Sequence, residues 1–384
     1  MIYLDHAATT PLRPEARAVL AEFLAEGAPT ANPSSLHAPG RAMAQRLAEA
    51  RECFAALIGA APADIVWTSG ATEANNLAIL GRARFARSLG RGLVVPRTEH
   101  KAVIDPVRHL AGQGWSVRWL DPGPQGACGP QDFAQALGPD TVLACAMAVN
   151  NETGQIQDVQ GIAELTAEAG LPLHVDAAQA LGKVPLSLHP GIGSMSFSAH
   201  KLGGPLGVGA LYLRGQPRVG IEPLQFGGGQ ERGLRSGTVA VPWILAFVAA
   251  AEAACAQREK EMARLGALRE ELWQSLQAAL PGLIRNGEAE RCSPHVLNLS
   301  FPGVHGESLR AALPELAVSS GSACSSAQAE SSYVLRALGH SDGLADASLR
   351  FSFGLQSSEE DVRAAAAMVI TAVHRLRSWH PEAA

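Results

Sequence analysis

The 384 residues are enough for two or three domains, and a content of 47% hydrophobic and 17% charged residues is typical of a globular protein rather than a disordered one. The net charge of -5, without a basic run, gives no indication of nucleic-acid or anionic-membrane binding, and no apolar run is long enough to cross a bilayer. Six dispersed cysteines without zinc-ligand spacing, and an N-terminus unlike a signal peptide, predict a cytoplasmic protein without metal or disulfide scaffold.

From about residue 45 to about residue 215, β-branched apolar runs alternate with helical patterns. The seven runs predicted as strands span residues 64–68, 92–96, 116–120, 141–149, 173–176, 194–198 and 209–213. The helical patterns between several of them span residues 73–84, 101–110 and 158–168. This alternation is typical of an α/β fold, here with a mostly parallel seven-stranded sheet covered on both faces. Ligands of such sheets bind beyond the carboxyl ends of the strands.

After residue 240 the pattern changes to that of a smaller α+β domain. A long helical stretch is predicted over residues 244–280, followed by short strands over 296–300, 316–319 and 349–353, with helices between and after them. We expect a large domain over residues 16–257. Residues 1–15 and 258–384 are expected to form the small domain.

Residues 65–76, with the sequence IVWTSGATEANN, run from a strand through a Ser-Gly turn into a helix. A helix N-terminus that begins with Gly70, Ala71 and Thr72 presents free N–H groups, a hydroxyl and the positive end of the helix dipole, which suits a phosphate. Taken alone, the same residues fit an ordinary capped helix better.

Two strand ends carry polar residues that could take part in catalysis or cofactor binding. Asp176 ends a buried strand, where its carboxylate could pair with a protonated pyridine nitrogen or simply cap a helix. Lys201 stands between a strand and a glycine-rich turn, and its amine could form a Schiff base or belong to a surface loop. Ser198 and His200, just before it, could bind an anion.

A cysteine and a histidine complete the candidates. Cys324 lies among small residues in the sequence SSGSACSSAQ, so it is either an exposed, reactive thiol or an inert thiol in a packed loop. The loop from residue 319 to about residue 332 offers few apolar contacts and is expected to be mobile. His100 follows another strand and could act in acid–base chemistry or stack on a ring, although a lone histidine is more often structural.

Each of these signals is weak alone, but together they follow the strand ends of one sheet, where they could converge on one site. With these residues the sequence resembles the NifS/IscS-type cysteine desulfurases of the class V aminotransferase family, which have pyridoxal-phosphate (PLP) fold type I. The resemblance covers nearly the whole chain and rests on the motifs TSGATEANN (68–76), TEHKAV (98–103), VNNETG (149–154), HVDAAQ (174–179), SFSAHK (196–201), ERGLRSGT (231–238) and SSGSACSS (319–326).

The resemblance implies a PLP site. The residues implied to hold the phosphate are Ala71, Thr72, Ser198 and His200. Lys201 would form the Schiff base, His100 would stack on the pyridine ring and shuttle protons, Asp176 would pair with the ring nitrogen, and Gln179 with the ring hydroxyl oxygen. Thr238 would reach a phosphate in the other subunit of a homodimer.

The resemblance also implies the reaction. Asn151 would lie close to the substrate and to the ring oxygen, Arg350 would clamp the carboxylate of L-cysteine, and Cys324 would receive the sulfur as a persulfide while L-alanine is released. A sulfur-acceptor protein, such as an iron–sulfur scaffold or a sulfur carrier, is the expected partner. Proteins of the IscS type have a longer C-terminal tail that contacts the scaffold, so the resemblance leaves open whether this chain makes that contact.

A selenocysteine lyase and an aminotransferase of the same fold remain alternatives, and an inactive partner subunit would be expected to lack Lys201 or Cys324.

Overall fold

A computed structural model describes residues 1–28, 30–123, 125–320 and 331–379. The strands in chain order are β1 (Ile2–Tyr3), β2 (Ile65–Thr68), β3 (Gly92–Pro96), β4 (Ser116–Leu120), β5 (Thr141–Met147), β6 (Leu173–Asp176), β7 (Ile192–Ser198), β8 (Gly209–Leu213), β9 (Ile284–Asn286), β10 (Val296–Ser300), β11 (Leu316–Ala317) and β12 (Ser348–Ser352). The α-helices are α1 (Pro14–Leu24), α2 (Ala38–Ile58), α3 (Ala71–Ala86), α4 (Lys101–Gly112), α5 (Pro130–Ala136), α6 (Val159–Glu168), α7 (Val241–Ala279), α8 (Gly306–Ala311), α9 (Tyr333–Ala337), α10 (Asp342–Asp346) and α11 (Glu359–Trp379).

The large sheet has seven strands in the order β2-β8-β7-β6-β5-β3-β4. Strands β4, β3, β5, β6 and β7 pair in parallel, whereas β8 runs antiparallel to both of its neighbours, β7 and β2. The α/β fold with a mostly parallel seven-stranded sheet is thereby confirmed. Because β2 is aligned with the parallel strands, the chain leaves β2, β3, β5, β6 and β7 at the same edge of the sheet.

The central strands are buried along their whole length. Every residue of β5, β6 and β7 is buried, so these strands have no solvent face, and the polar side chains of β6 and β7, such as His174, Asp176 and Ser194, lie inside the protein. A second core surrounds the antiparallel sheet β12-β10-β9, where Leu265, Leu268, Leu272 and Leu276 on α7 are buried. Strand β1 pairs with β11, which places the first residues of the chain beside the C-terminal part.

The element boundaries differ from the predicted ones mainly where irregular pairing replaces a strand. The predicted strand 141–149 ends at Met147, because Val149 makes only an isolated bridge to Ile156. The predicted strand 316–319 shortens to β11, and Ser319 forms an isolated bridge to Arg350. Across the described ranges, no helix is both long and apolar enough to span a membrane.

Candidate active site

A cavity of ≈ 350 Å³ opens at the edge of the large sheet where the parallel strands end. The sequence-predicted residues that line it are Ala71, Thr72, His100, Asn151, Asp176, Gln179, Ser198, His200, Lys201 and Arg350. Thr238 lines a different cavity, beside Phe23 and Met43. Cys324 lies outside the described residues, as does the central part of the loop that was expected to be mobile.

The N-terminus of α3 faces the cavity without a side-chain cap. Gly70 occupies the cap position with φ 153° and has no side chain that could accept a hydrogen bond from the first amides of the helix. Strand β8 can approach this turn because Gly209 lacks a side chain, and a Cβ there would lie 2.6 Å from the Cα of Gly70. The free amides and the helix dipole favour an anion at this position.

At the end of β7, His200 and Lys201 enter the cavity. The Nζ of Lys201 donates to the carbonyl oxygens of Ala7 at 2.7 Å and Ala8 at 2.6 Å, so the N-terminal segment holds this amine. Burial, assisted by the positive charges of Lys201 and Lys183, lowers the pKa of His200 to about 4. His200 is therefore neutral at pH 7 and can donate only one ring hydrogen.

His100 caps α4. Its Nδ1 accepts a hydrogen bond from the backbone N–H of Ala102 at 3.1 Å, so this nitrogen carries no proton. The ring proton of the neutral side chain is therefore on Nε2.

The same neighbourhood contains Glu99, whose Oε1 accepts from the N–H of Met147 at 2.5 Å. Complete burial, and secondarily the charge of Asp176, raise the pKa of Glu99 well above its usual range.

Gln179 has a fixed orientation. Its Nε2 donates to the carbonyl oxygen of Ala7 at 2.8 Å, and its Oε1 accepts from the Nζ of Lys183 at 2.7 Å. Since the carbonyl oxygen of Ala7 can only accept, the amide N–H₂ group of Gln179 is directed toward Ala7 at the edge of the cavity. Burial, and then the charges of Lys201 and Arg350, hold the pKa of Lys183 well below its usual range.

Arg350 on β12 reaches the cavity from the small sheet. Its Nη2 pairs with Oδ1 of Asp5 at 2.8 Å, and its Nη1 donates to the carbonyl oxygen of Asn151 at 2.8 Å. Its Nε, and the Oδ1 of Asn151, are buried and have no hydrogen-bond partner among the residues that the structure describes. One donor and one acceptor are thus left unsatisfied in residues that line the same cavity.

The sequence did not single out Asp5, Glu99, Asn75 or Lys183. All four lie in or behind the site only because the fold brings distant segments together. Glu99 and Asn75 do belong to the motifs TEHKAV and TSGATEANN, so a buried polar residue inside a site motif was the signal that could have identified them.

Residues 2–364 match the family Aminotransferase class-V. The proteins named cysteine desulfurase IscS from Methylococcus capsulatus and Photorhabdus laumondii are 47% and 44% identical to the chain, in each case over 99% of this chain and 94% of the relative. Among solved structures, a NifS-like protein matches with TM-score 0.90 and 31% identity, over 98% of this chain and 100% of that one. The structure titled SspA in complex with cysteine matches with TM-score 0.80 and 30% identity, over 92% of this chain and 99% of that one.

Proposed function

The chain belongs to the class-V aminotransferase family, and we propose that within it the chain is a cysteine desulfurase, which takes sulfur from L-cysteine and releases L-alanine. The family predicted from the motifs is confirmed, and relatives named cysteine desulfurase over nearly the full length support the activity. The acceptor of the sulfur within the chain is proposed to be Cys324.

PLP is the cofactor that the cavity residues fit. It would need an anion site, an acceptor for a protonated ring nitrogen, a donor for the ring oxygen and a nearby amine. The uncapped N-terminus of α3, the Asp176 carboxylate, the Gln179 amide and the Lys201 amine are of these four kinds, and all line one cavity. When bound, PLP supplies the electron sink for chemistry at the α-carbon of an amino acid.

The observation that carries the substrate class is the pair of unsatisfied atoms. The Nε of Arg350 is a charged donor and the Oδ1 of Asn151 is an acceptor, and both are buried in residues that line the cavity. Buried polar atoms are rarely left without partners. A carboxylate would satisfy the first and an ammonium or amine the second, which is the pair of groups that every α-amino acid carries.

The residues divide the reaction between them. Arg350 would bind the substrate carboxylate, and Lys201 would hold the cofactor and then move the proton at the α-carbon. The Cys324 thiolate would attack the substrate sulfur, forming an S–S bond while the C–S bond breaks. The electron pair of the broken bond stays with the substrate carbon, whose protonation gives L-alanine. His100, with its proton on Nε2, would donate and accept protons near the substrate sulfur.

Two partners belong to the proposal. Thr238 would meet a phosphate in a second copy of the chain, because it lies in a separate cavity of its own chain and the resemblance assigns it that role. A sulfur-acceptor protein, an iron–sulfur scaffold or a sulfur carrier, would then take the sulfur from Cys324.

The product of cysteine turnover tests the function. The PLP-loaded enzyme with L-cysteine and a reductant should form alanine and sulfide in equal amounts, without a keto acid. Selenocysteine is assayed in parallel, because a selenocysteine lyase would use it and leave cysteine unchanged. Alanine that forms only when a keto acid is supplied would make the protein an aminotransferase and refute the proposal.

A further inference from the structure

A chain of buried hydrogen bonds runs away from the cavity behind Asp176. Oδ2 of Asp176 accepts from Nδ2 of Asn75 at 2.7 Å, and Oδ1 of Asn75 is 2.9 Å from Nε2 of His174. Nδ1 of His174 is in turn 2.8 Å from Oγ of Ser194. Asn75 and His174 are 0% exposed, Ser194 4% and Asp176 6%. Because water has no access to replace a partner, these contacts must satisfy one another.

The fold itself places the four residues on one face of the sheet. His174 and Asp176 are two residues apart on β6 and therefore point to the same side. Ser194 is the register partner of His174 on the neighbouring strand β7. Asn75 lies on α3, which packs against β5, β6, β7 and β8 and covers that side.

The direction of each hydrogen bond follows from its chemistry. An ionised carboxylate only accepts, and Asp176 accepts from Asn75 on Oδ2 and from the N–H of Ala178 on Oδ1 at 2.9 Å. Asn75 therefore turns its N–H₂ group to Asp176 and its carbonyl oxygen to His174, so the ring proton is on Nε2 of His174. Burial lowers the pKa of His174 to about 4, so the ring is neutral and its Nδ1 accepts from the hydroxyl of Ser194.

We infer that Asn75 and His174, supported by Ser194, are positioning residues that hold Asp176 as an ionised acceptor directed at the cavity. The inference rests on the proposed function, in which the group facing Asp176 is the ring nitrogen of PLP. Two donors from fixed directions set the plane of the carboxylate. A proton on Oδ2 of Asp176, directed at Asn75, would require Asn75 to flip, which would move the proton of His174 to Nδ1.

The hydrogen-bond chain from Asp176 through Asn75 and His174 to Ser194 is called the relay below. The tautomer of His174 tests the direction of the relay without any activity measurement. The full-length protein labelled with ¹⁵N-histidine, with and without PLP, should show a neutral His174 with its proton on Nε2 at pH 7. Assignment uses the loss of that signal in a His174→Gln variant. A proton on Nδ1, or a charged imidazolium at pH 7, would overturn the inference, and this holds even if the protein does not use PLP.

A matched pair of variants tests the consequence for the cofactor. Asn75→Asp puts a second carboxylate against Asp176, so the pair must share a proton and the donor is lost. PLP affinity of the apoprotein, followed by fluorescence quenching, should fall roughly 10- to 100-fold, as expected when a charged hydrogen bond is lost. Asn76→Asp makes the same change one residue along, where the side chain donates to the carbonyl oxygen of Thr72 within α3, and should change affinity less than about threefold.

The outcomes separate the relay from the proposed function. If wild-type protein binds no PLP, the proposed function fails while the His174 tautomer still reports on the relay. If wild type binds PLP and Asn75→Asp binds it equally well, the relay is refuted and the function stands. Should Asn75→Asp not fold, the pH titration of the visible absorption of PLP-loaded His174→Phe replaces it. Phenylalanine keeps a ring but cannot donate to Asn75, so the titration should be displaced from that of wild type, and an unchanged titration would refute the relay.

Discussion

Replacing Arg350 by alanine should weaken the binding of cysteine far more than the binding of PLP. The side chain is 3% exposed and joins Asp5, the carbonyl of Asn151 and, by the proposal, the substrate carboxylate. Loss of a charged hydrogen-bond partner costs about 1.5–3 kcal/mol, which corresponds to a rise of about 10- to 150-fold in the Michaelis constant for cysteine. The PLP phosphate lies at α3 in this account, so PLP affinity should change less than about threefold.

The assay compares three quantities for Arg350→Ala: the Michaelis constant for L-cysteine, PLP affinity of the apoprotein, and thermal stability. Stability should fall, because Asp5 loses its ion-pair partner. Arg350→Lys serves as the control, since it keeps the charge but cannot contact Asp5, Asn151 and the substrate together. An unchanged Michaelis constant, or a loss of PLP affinity equal to the loss of cysteine affinity, would refute the assignment of Arg350 to the carboxylate.

Three further predictions concern other parts of the molecule. Borohydride treatment of the yellow, PLP-loaded protein should fix the cofactor on Lys201, and a peptide map with another lysine modified would contradict this. The active species should be a homodimer, and a Thr238→Ala variant should bind PLP more weakly in that dimer; a fully active monomer by light scattering would refute it. Because burial raises the pKa of Glu99, the folded chain keeps this proton to higher pH than the unfolded chain does, so stability is lost as pH rises above the usual glutamate range. Each tenfold difference in proton affinity between the folded and the unfolded chain corresponds to about 1.4 kcal/mol of stability. Glu99→Gln should therefore raise the apoprotein melting temperature more at pH 8 than at pH 5, and equal changes at the two pH values would contradict the raised pKa.

The sequence was sufficient for the sheet and for the residues that end its strands. Apolar and β-branched runs indicate the buried strands, and parallel strands necessarily end at one edge, so His100, Asp176 and Lys201 could be expected to meet. The long helix was also apparent, although α7 begins at Val241 rather than at residue 244, with Pro242 in its first turn, where proline is tolerated.

The partners behind those residues could not be derived in the same way. The contact of Asp5 with Arg350 joins opposite ends of the chain, and that of Asn75 with Asp176 joins α3 to β6. Such pairs depend on how helices and sheets pack in three dimensions. The periodicity of the sequence does not predict that packing. A strand at 316–319 was predicted, but its pairing with β1 was equally inaccessible, because pairing between segments more than 300 residues apart leaves almost no local pattern.

Mass spectrometry of Cys324 after reaction with L-cysteine tests the central claim most directly. In the PLP-loaded protein, treated with cysteine and without reductant, the peptide that contains Cys324 should gain the mass of one sulfur atom. Cys324→Ala should still bind PLP and change its absorption spectrum with cysteine, but should form neither persulfide nor sulfide. A Cys324→Ala variant that converts cysteine to alanine at near the wild-type rate would contradict the account, and the protein would then be a general PLP lyase or aminotransferase.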